Sequence, residues 1–395
     1  MTTSTTMHGT DDVTRLPPGG AAFVCWTPEQ QIIGFRSREK IDPVRVVGRS
    51  ANVRHLPLAI HHISPRWNWD AQEMDVDRYM EAQRVSGIVV LRGGRVIFER
   101  YGLGRRESDC WMSLSAAKSV TSILVGAAVQ DGYIESLDAP VSDYIPELRE
   151  SAYEGVSIRQ LLTMTTGVKW NEDYTDPNSD ARRSVWSTPE LGVNPVVAYM
   201  RRLPRADSPG SKFAYKSGDT DLAGILVSTA VGKSLSEYLS DKLWRPYGME
   251  ADAFWAVDGA GHEFGGGGIS ATLRDYARIG QFMLEGGKAG AIQVLPATWV
   301  EDSTSAHVVF SEENGATYLN RREGYGYFWW IYKDGYAALG WGGQAIFVFP
   351  KEHLVIAINS AWPEPNLPEY RQAQEAFVEA VRAAALTQPS SPVRE

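Results

Sequence analysis

The sequence predicts an α/β (α+β) fold in which one sheet draws strands from both ends of the chain and a mainly helical middle packs against it. Three observations carry that expectation. Ser86–Tyr101 reads Ser-Gly-Ile-Val-Val-Leu-Arg-Gly-Gly-Arg-Val-Ile-Phe-Glu-Arg-Tyr, two β-rich runs around a Gly-Gly turn, which is the pattern of a hairpin. Gly343–Pro350 and His353–Asn359 form a second pair of β-rich runs joined by a short polar turn. Between the two pairs, Ser234–Leu243 and Asp275–Leu284 space their apolar residues as helices do, and a long stretch rich in Gly, Asp and Asn runs from Gly167 to about Gly192. If the two hairpins share a sheet, the middle is an insertion, and the cleft between the two lobes is where a site forms.

Taken along the chain, residues 1–65 read as an N-terminal extension, 66–165 and 270–385 as the α/β lobe, 166–269 as the mainly helical lobe and 386–395 as a flexible tail. Met1–Gly20 is rich in Thr, Gly and Pro and has neither the basic start nor the apolar run of a signal peptide. Both ends read as disordered and dispensable.

Composition excludes several function classes. With 43% hydrophobic residues, a chain of 395 residues can bury a substantial core. Its 39 Lys and Arg against 48 Asp and Glu give a net charge of -9, which argues against nucleic acid or an anionic membrane as partner. Cys25 and Cys110 cannot build a disulfide framework or a cysteine-rich zinc site, and two isolated thiols suit a reducing compartment, so cytoplasmic residence is expected. No stretch approaches the roughly 20 apolar residues of a membrane span. The expected partner is a small molecule, and the assembly state is left open between monomer and homodimer.

No metal or cofactor is expected. The seven histidines form no His-Glu-x-x-His, and His61-His62 reads as a structural or solvated pair. Gly232-Lys233-Ser234 lacks the upstream Gly of a P-loop, since Val227 stands there. Gly265–Gly268 follows no clear strand and reads as a close-packed loop rather than a dinucleotide fingerprint. No Gly-x-Ser-x-Gly elbow is present, so the α/β-hydrolase route to serine catalysis is also excluded.

The candidate chemistry begins at Ser115-Ala116-Ala117-Lys118. Apolar residues at 120, 123, 124, 127 and 128 describe a helix with one deeply buried stripe that Ser115 would open. Three residues apart, Ser115 and Lys118 share a helix face, so the amine reaches the hydroxyl. A serine becomes a good nucleophile only when its proton is removed, and a lysine does this near neutral pH only when burial and neighbouring positive charge depress its pKa. By itself the motif also fits a capping serine beside a surface lysine. A second copy, Ser37-Arg38-Glu39-Lys40, sits in a charged stretch with no apolar helix behind it and reads as a solvated turn. Tyr215-Lys216-Ser217 adds a tyrosine that can relay a proton and a Ser217 hydroxyl that can hydrogen-bond the lysine. Tyr238-Leu239-Ser240 and Tyr318-Leu319-Asn320 satisfy the same pattern, but Tyr238 belongs to a regular helix and Tyr318 to a polar loop.

Ser115-x-x-Lys118, Leu161–Gly167, Tyr215-x-Ser217 and Phe264–Asp275, in that order, resemble the serine β-lactamase and D,D-peptidase superfamily over roughly residues 70–385. Within it, Asn171-Glu172-Asp173-Tyr174-x-Asp176-Pro177 and Ala361-Trp362-Pro363 look most like 6-aminohexanoate-oligomer (nylon-oligomer) hydrolases and relatives resembling family VIII carboxylesterases. The resemblance implies a β-lactamase-like fold, an antiparallel sheet flanked by helices with an inserted all-helical lobe. It implies Ser115 as nucleophile, Lys118 as base and Tyr215 as proton shuttle, with an oxyanion hole of the Ser115 and Trp341 backbone N–H groups. Where penicillin-recognising members carry Lys-Thr-Gly or His-Thr-Gly, this chain has Ala338-Leu339-Gly340, which points away from β-lactams and toward other amides or esters.

Trp170, Trp329, Trp330 and Trp341, among 13 tryptophans, suggest an aromatic wall, although each also fits a plain core position. Trp170, Ser217, Trp330, Gly340 and Gln344 are the expected substrate-binding residues. Asp176, Asp180, Arg182 and Arg183 read as solvated loop charges rather than as contacts to a charged substrate end. The expected activity is hydrolysis of a small linear amide through an acyl-enzyme. The alternatives are a family VIII type carboxylesterase, a penicillin-binding D,D-peptidase or β-lactamase, and a non-catalytic binding protein on the same fold.

Overall fold

The computed structural model describes residues 16–184, 190, 192–311, 321–364 and 367–387. Residues 1–15, the 388–395 part of the expected tail and Tyr318 lie outside them. Near the start, helix α1 (Pro28–Arg36) opens on a reciprocal cap: Thr27 Oγ1 accepts the Gln30 N–H while the Gln30 side chain accepts the Thr27 N–H. Strand β1 (Val44–Val47) follows. The first hairpin is β2 (Val85–Arg92) and β3 (Arg95–Tyr101), turned by Gly93 and Gly94 at φ +54° and +74°, the left-handed pair that a two-residue turn requires. After β4 (Trp111–Met112) come the helices α2 (Ala117–Gln130), α3 (Ile158–Leu162), α4 (Asp180–Arg183), α5 (Pro195–Met200), α6 (Ser217–Val231) and α7 (Leu235–Leu239). Strands β5 (Ala253–Ala256) and β6 (Ile269–Ala271) lead to α8 (Leu273–Leu284), capped by Thr272. The last third supplies β7 (Val308–Val309), β8 (Arg322–Tyr325), β9 (Trp330–Tyr332), β10 (Gly335–Leu339), β11 (Ala345–Phe349), β12 (Leu354–Ser360) and α9 (Pro368–Leu386).

The two hairpins share one sheet. Its eight strands run β7-β8-β9-β10-β11-β12-β2-β3, every neighbour antiparallel, with the chain ends meeting where Ile358 faces Ile88 and Ile356 faces Val90. Strand alternation divides the two faces. Val348 and Ile346 meet α8, where Gly280 lets the helix lie so close that a Cβ there would be 2.9 Å from Ile346 and 2.5 Å from Val355. Phe349 points to the other face, with the Arg382 guanidinium of α9 4.2 Å from its ring centre.

Helices α2 and α3, which precede residue 166, pack against α6 together with α5, although α6 begins some hundred residues downstream of the start of α2. At the start of α6 the buried Lys216 Nζ sits 3.4 Å from Asp219, which also accepts the Tyr153 hydroxyl at 2.7 Å and the Thr166 hydroxyl at 2.9 Å.

The N-terminal segment is also more than an extension. Strand β1 pairs with β5 at the edge of a second sheet, ordered β1-β5-β6-β4. Trp26, Phe35, Trp111, Met112, Leu114 and Ala361 form a small core of their own beneath it. Among the described residues no helix is long and apolar enough to cross a membrane.

Replacing Asp219 with Ala leaves the Lys216 ammonium buried without its counter-ion. The expected loss is about 3–5 kcal/mol of stability, read as a lowered urea midpoint. A loss below about 1 kcal/mol would show that the Thr166 hydroxyl and the Val168 carbonyl, which accept from Lys216 Nζ at 2.8 and 2.7 Å, suffice.

Candidate active site

The segment entering α2 is bent to present a serine. Leu114 holds φ at +48°, a left-handed conformation that non-glycine residues rarely adopt, and Ser115 follows on a single 3-10 turn, Leu114–Ala116. Helix α2 itself is buried on all sides from Ala117 to Ala128, so its small residues serve close packing rather than one stripe. A Cβ at Gly126, for example, would lie 2.5 Å from the Trp299 ring.

Lys118 is 2% exposed, and its Nζ is held by three oxygens: Ser115 Oγ at 3.3 Å, Ser217 Oγ at 2.9 Å and the Gly266 carbonyl at 2.7 Å. Burial pushes the amine below the ordinary lysine value, while the charges of Glu172 and Asp221 hold it up. The proton directions follow from the partners. A carbonyl only accepts, and the Ser217 hydroxyl donates onward to Glu172 Oε1 at 2.5 Å. A neutral Lys118 therefore gives its two N–H groups to Gly266 and Ser217 and turns its lone pair to Ser115.

Tyr215 lies across Ser115, its hydroxyl facing the serine side chain and its ring centre 5.3 Å from Lys118 Nζ. Burial, with a contribution from Glu172, pushes the phenol well above its ordinary value, so it stays protonated. Trp330 stacks on it at 5.6 Å with planes 21° apart and fixes the ring.

Two carboxylates that the sequence reading did not single out complete the site. Glu172 accepts the backbone N–H of Ser217 at 2.9 Å, the Ser217 hydroxyl, the Trp170 indole N–H at 2.5 Å and the Tyr174 hydroxyl at 3.1 Å. Asp221, one turn into α6, accepts the Gly266 N–H at 2.7 Å; burial pushes its carboxyl up to about 6. The only available signal for Glu172 was its place in the Asn171–Pro177 match, because its partner Ser217 is 45 positions away. Gly265–Gly268 is close packed, as expected. A Cβ on Gly266 would lie 3.3 Å from Lys118 Nζ and one on Gly265 2.5 Å from the Thr220 carbonyl.

Opposite, the end of β10 presses on the serine turn. A Cβ at Gly340 would lie 2.4 Å from the Ser113 carbonyl and 3.2 Å from the Ala116 nitrogen, so Gly340 brings Trp341 beside Ser115. Gln344 is not a substrate contact. It is fully buried, donates to the carbonyls of Trp341, Gly342 and Ser360, and accepts from Asn359 and Ser360, which spends its amide on the turn that carries Trp341.

A cleft of about 320 Å³ opens over Ser115, Ser217, Tyr174 and Gly266. Trp341 lines it and meets Phe23 edge-on at 5.8 Å, so the N-terminal segment forms one wall. The other expected aromatic contacts are placed differently. Trp170 serves Glu172, Trp330 backs Tyr215, and Trp329 is wholly buried against Tyr336 at 5.2 Å. Arg182 also lines the cleft, whereas Asp176 is spent on Asn171 and Asn178, and Asp180 on the Asn171 N–H and the Tyr199 hydroxyl of α5. Among the described residues no group of His, Cys, Asp and Glu could hold a metal ion.

Comparison with known proteins gives matching results. The Beta-lactamase family model matches residues 74–380. A 6-aminohexanoate-dimer hydrolase of Paenarthrobacter ureafaciens is 32% identical over 314 residues, covering 77% of this chain and 79% of that one. Esterase EstB of Burkholderia gladioli is 28% identical over 200 residues, covering 46% and 50% of the two chains. A solved Bacillus anthracis structure, provisionally assigned as a 6-aminohexanoate-dimer hydrolase, superposes with a TM-score of 0.76 at 21% identity, covering 91% of this chain and 96% of the other.

A negative charge beside Lys118 favours its ammonium form, and the proton must leave before the amine can accept one from Ser115. Asp221→Asn should therefore shift the pH midpoint for phosphonate labelling of Ser115 downward, by roughly one unit. A midpoint that stays in place would assign control of the lysine to Glu172 alone.

Proposed function

Because the chain belongs to the Beta-lactamase family, we propose that it is a serine hydrolase that cleaves a small linear amide through an acyl-enzyme on Ser115. The observation that carries this reading is the hydrogen-bond set of Lys118: with the Gly266 carbonyl and Ser217 taking two N–H groups, an amine that has lost its proton has only its lone pair left for the Ser115 hydroxyl. Lys118 takes the Ser115 proton as Oγ attacks the substrate carbonyl. The backbone N–H groups of Ser115 and Trp341 receive the oxyanion. Tyr215, facing Ser115 and kept protonated by burial, gives its proton to the leaving nitrogen and is restored by the proton held on Lys118. Water then attacks the acyl-enzyme with the same groups in reverse order, releasing the acid and free Ser115.

The likeness to the Paenarthrobacter enzyme supports an amide as the bond cleaved. Ester cleavage is the second reading, favoured by the likeness to esterase EstB and by the shared acyl-enzyme steps. Penicillin chemistry is disfavoured by the strand beside the site. Ala338 is buried and Leu339 closes β10, so neither the cation nor the hydroxyl that would meet a β-lactam carboxylate is present at those positions.

Ser115→Ala should abolish turnover of short acyl amides and esters together with labelling by a serine-directed phosphonate. Unchanged turnover would falsify the assignment. Lys118→Ala should lower kcat/KM by roughly 10² or more, the range of a general base. A chromogenic cephalosporin should acylate Ser115 slowly if at all, and rapid acylation would favour the penicillin-recognising alternative.

A further inference from the structure

The turn from Gly340 to Gly343 carries Trp341 beside Ser115, and each of its four carbonyls accepts a side-chain donor. Gln344 Nε2 donates to the carbonyls of Trp341 and Gly342 at 3.3 and 3.2 Å, and Gln374 Nε2, from α9, donates to that of Gly343 at 2.9 Å. The Gly340 carbonyl accepts from Arg371 Nη2, also on α9, at 3.1 Å. Three of these bonds therefore come from neutral amides, and the one at Gly340 comes from a cation.

Arg371 is half-buried in the first turn of α9, where a positive charge faces the positive end of the helix dipole. Its other partners are uncharged as well: Gln374 Oε1, and the Trp362 ring, whose centre lies 4.8 Å from the guanidinium carbon. Burial pulls the guanidinium down to about 10, which leaves it charged at neutral pH. The stability of α9 does not explain a cation at this place. The peptide it meets does.

The Gly340 carbonyl and the Trp341 N–H are the two ends of one planar trans peptide and point in opposite directions. With its carbonyl drawn to α9, that peptide turns its N–H away from α9. Trp341 also opens a single 3-10 turn, Trp341–Gly343, so its N–H has no partner within the turn. Because the amide is conjugated, a donor that pulls electron density onto the oxygen makes the N–H at the other end a stronger donor, and a charged donor does this most.

We infer that Arg371 is a positioning residue for the reaction: it orients the Gly340–Trp341 peptide and strengthens the Trp341 N–H as donor to the oxyanion. This rests on the hydrolase reading above. Arg371 does not line the cleft, so its charge reaches the reacting oxygen through one peptide group. The gain is larger for the charged oxygen of the tetrahedral intermediate than for the substrate carbonyl, and it is expressed in kcat rather than in KM.

The full chain acting on p-nitrophenyl butanoate and on its thiono counterpart, with sulfur in place of the carbonyl oxygen, tests this. Sulfur accepts hydrogen bonds weakly, so the thionoester gains little from an oxyanion donor. Losing such a donor outright costs roughly 10²–10³ in rate, and weakening one that stays in place should cost about 10-fold. Arg371→Met should therefore lower kcat for the oxoester about 10-fold, leave its KM and the thionoester rate within about two-fold, and cut the oxo-to-thiono ratio by about five-fold or more. Arg371→Lys keeps the charge and should hold the ratio within about three-fold of wild type. Arg371→Gln carries the same comparison if Arg371→Met does not fold, and the ratio should fall there too. Arg382→Gln removes another arginine of α9, one paired with Glu352 and Asp334, and should leave the ratio unchanged. A ratio that survives the loss of the Arg371 charge, or that falls equally in Arg382→Gln, overturns the inference while the hydrolase reading stands. If neither ester is cleaved and a phosphonate leaves Ser115 unlabelled, the hydrolase reading fails and the inference falls with it.

Discussion

The site depends on one buried amine. Lys118 fastens three segments that are distant in sequence: its own helix, Ser217 at 99 positions and Gly266 at 148 positions. Removing an amine from water is costly unless every remaining hydrogen-bond group is met, and here each one is. In the proposed reaction the same three contacts that offset the burial also set the direction of proton flow, so structure and reactivity meet at this atom. The glycine loop must be glycine to approach the amine, α6 must begin at Ser217, and α2 must be buried on all sides to hold the amine in place.

A second polar knot lies next to the first. Lys216, adjacent to Ser217, is anchored to Asp219, Thr166 and Val168, while Glu172 holds Ser217 from the opposite side. The residues on either side of the proposed proton path are thus fixed by groups that take no part in it. Such support restricts the hydroxyls to narrow positions, which favours a reaction needing several groups aligned at once.

What could be read from the sequence was what local spacing encodes. The Gly93-Gly94 turn with its flanking strands, and Ser115 with Lys118 one helical turn away, depend on neighbours in the chain. What could not be read depends on contacts made across the fold. Glu172 is an acid in a loop until Ser217 reaches it. Gln344 resembles a pocket residue because it follows the β10 turn, yet its amide faces inward to Ser360 and Asn359. Arg182 reads as a loop charge because nothing nearby in sequence reveals that its helix borders the cleft.

Phe23, Val24, Arg38, Asp42 and Pro43 line the cleft, yet all of them precede the residues 74–380 that match the family. Ser115, Lys118 and Tyr215 thus share a vessel with a wall drawn from a distant part of the chain, one fastened to the rest through β1 and a small aromatic core of its own. The shape and charge of that wall can vary without a change at Ser115, Lys118 or Tyr215, because none of its residues belongs to the hydrogen-bond set of the buried amine.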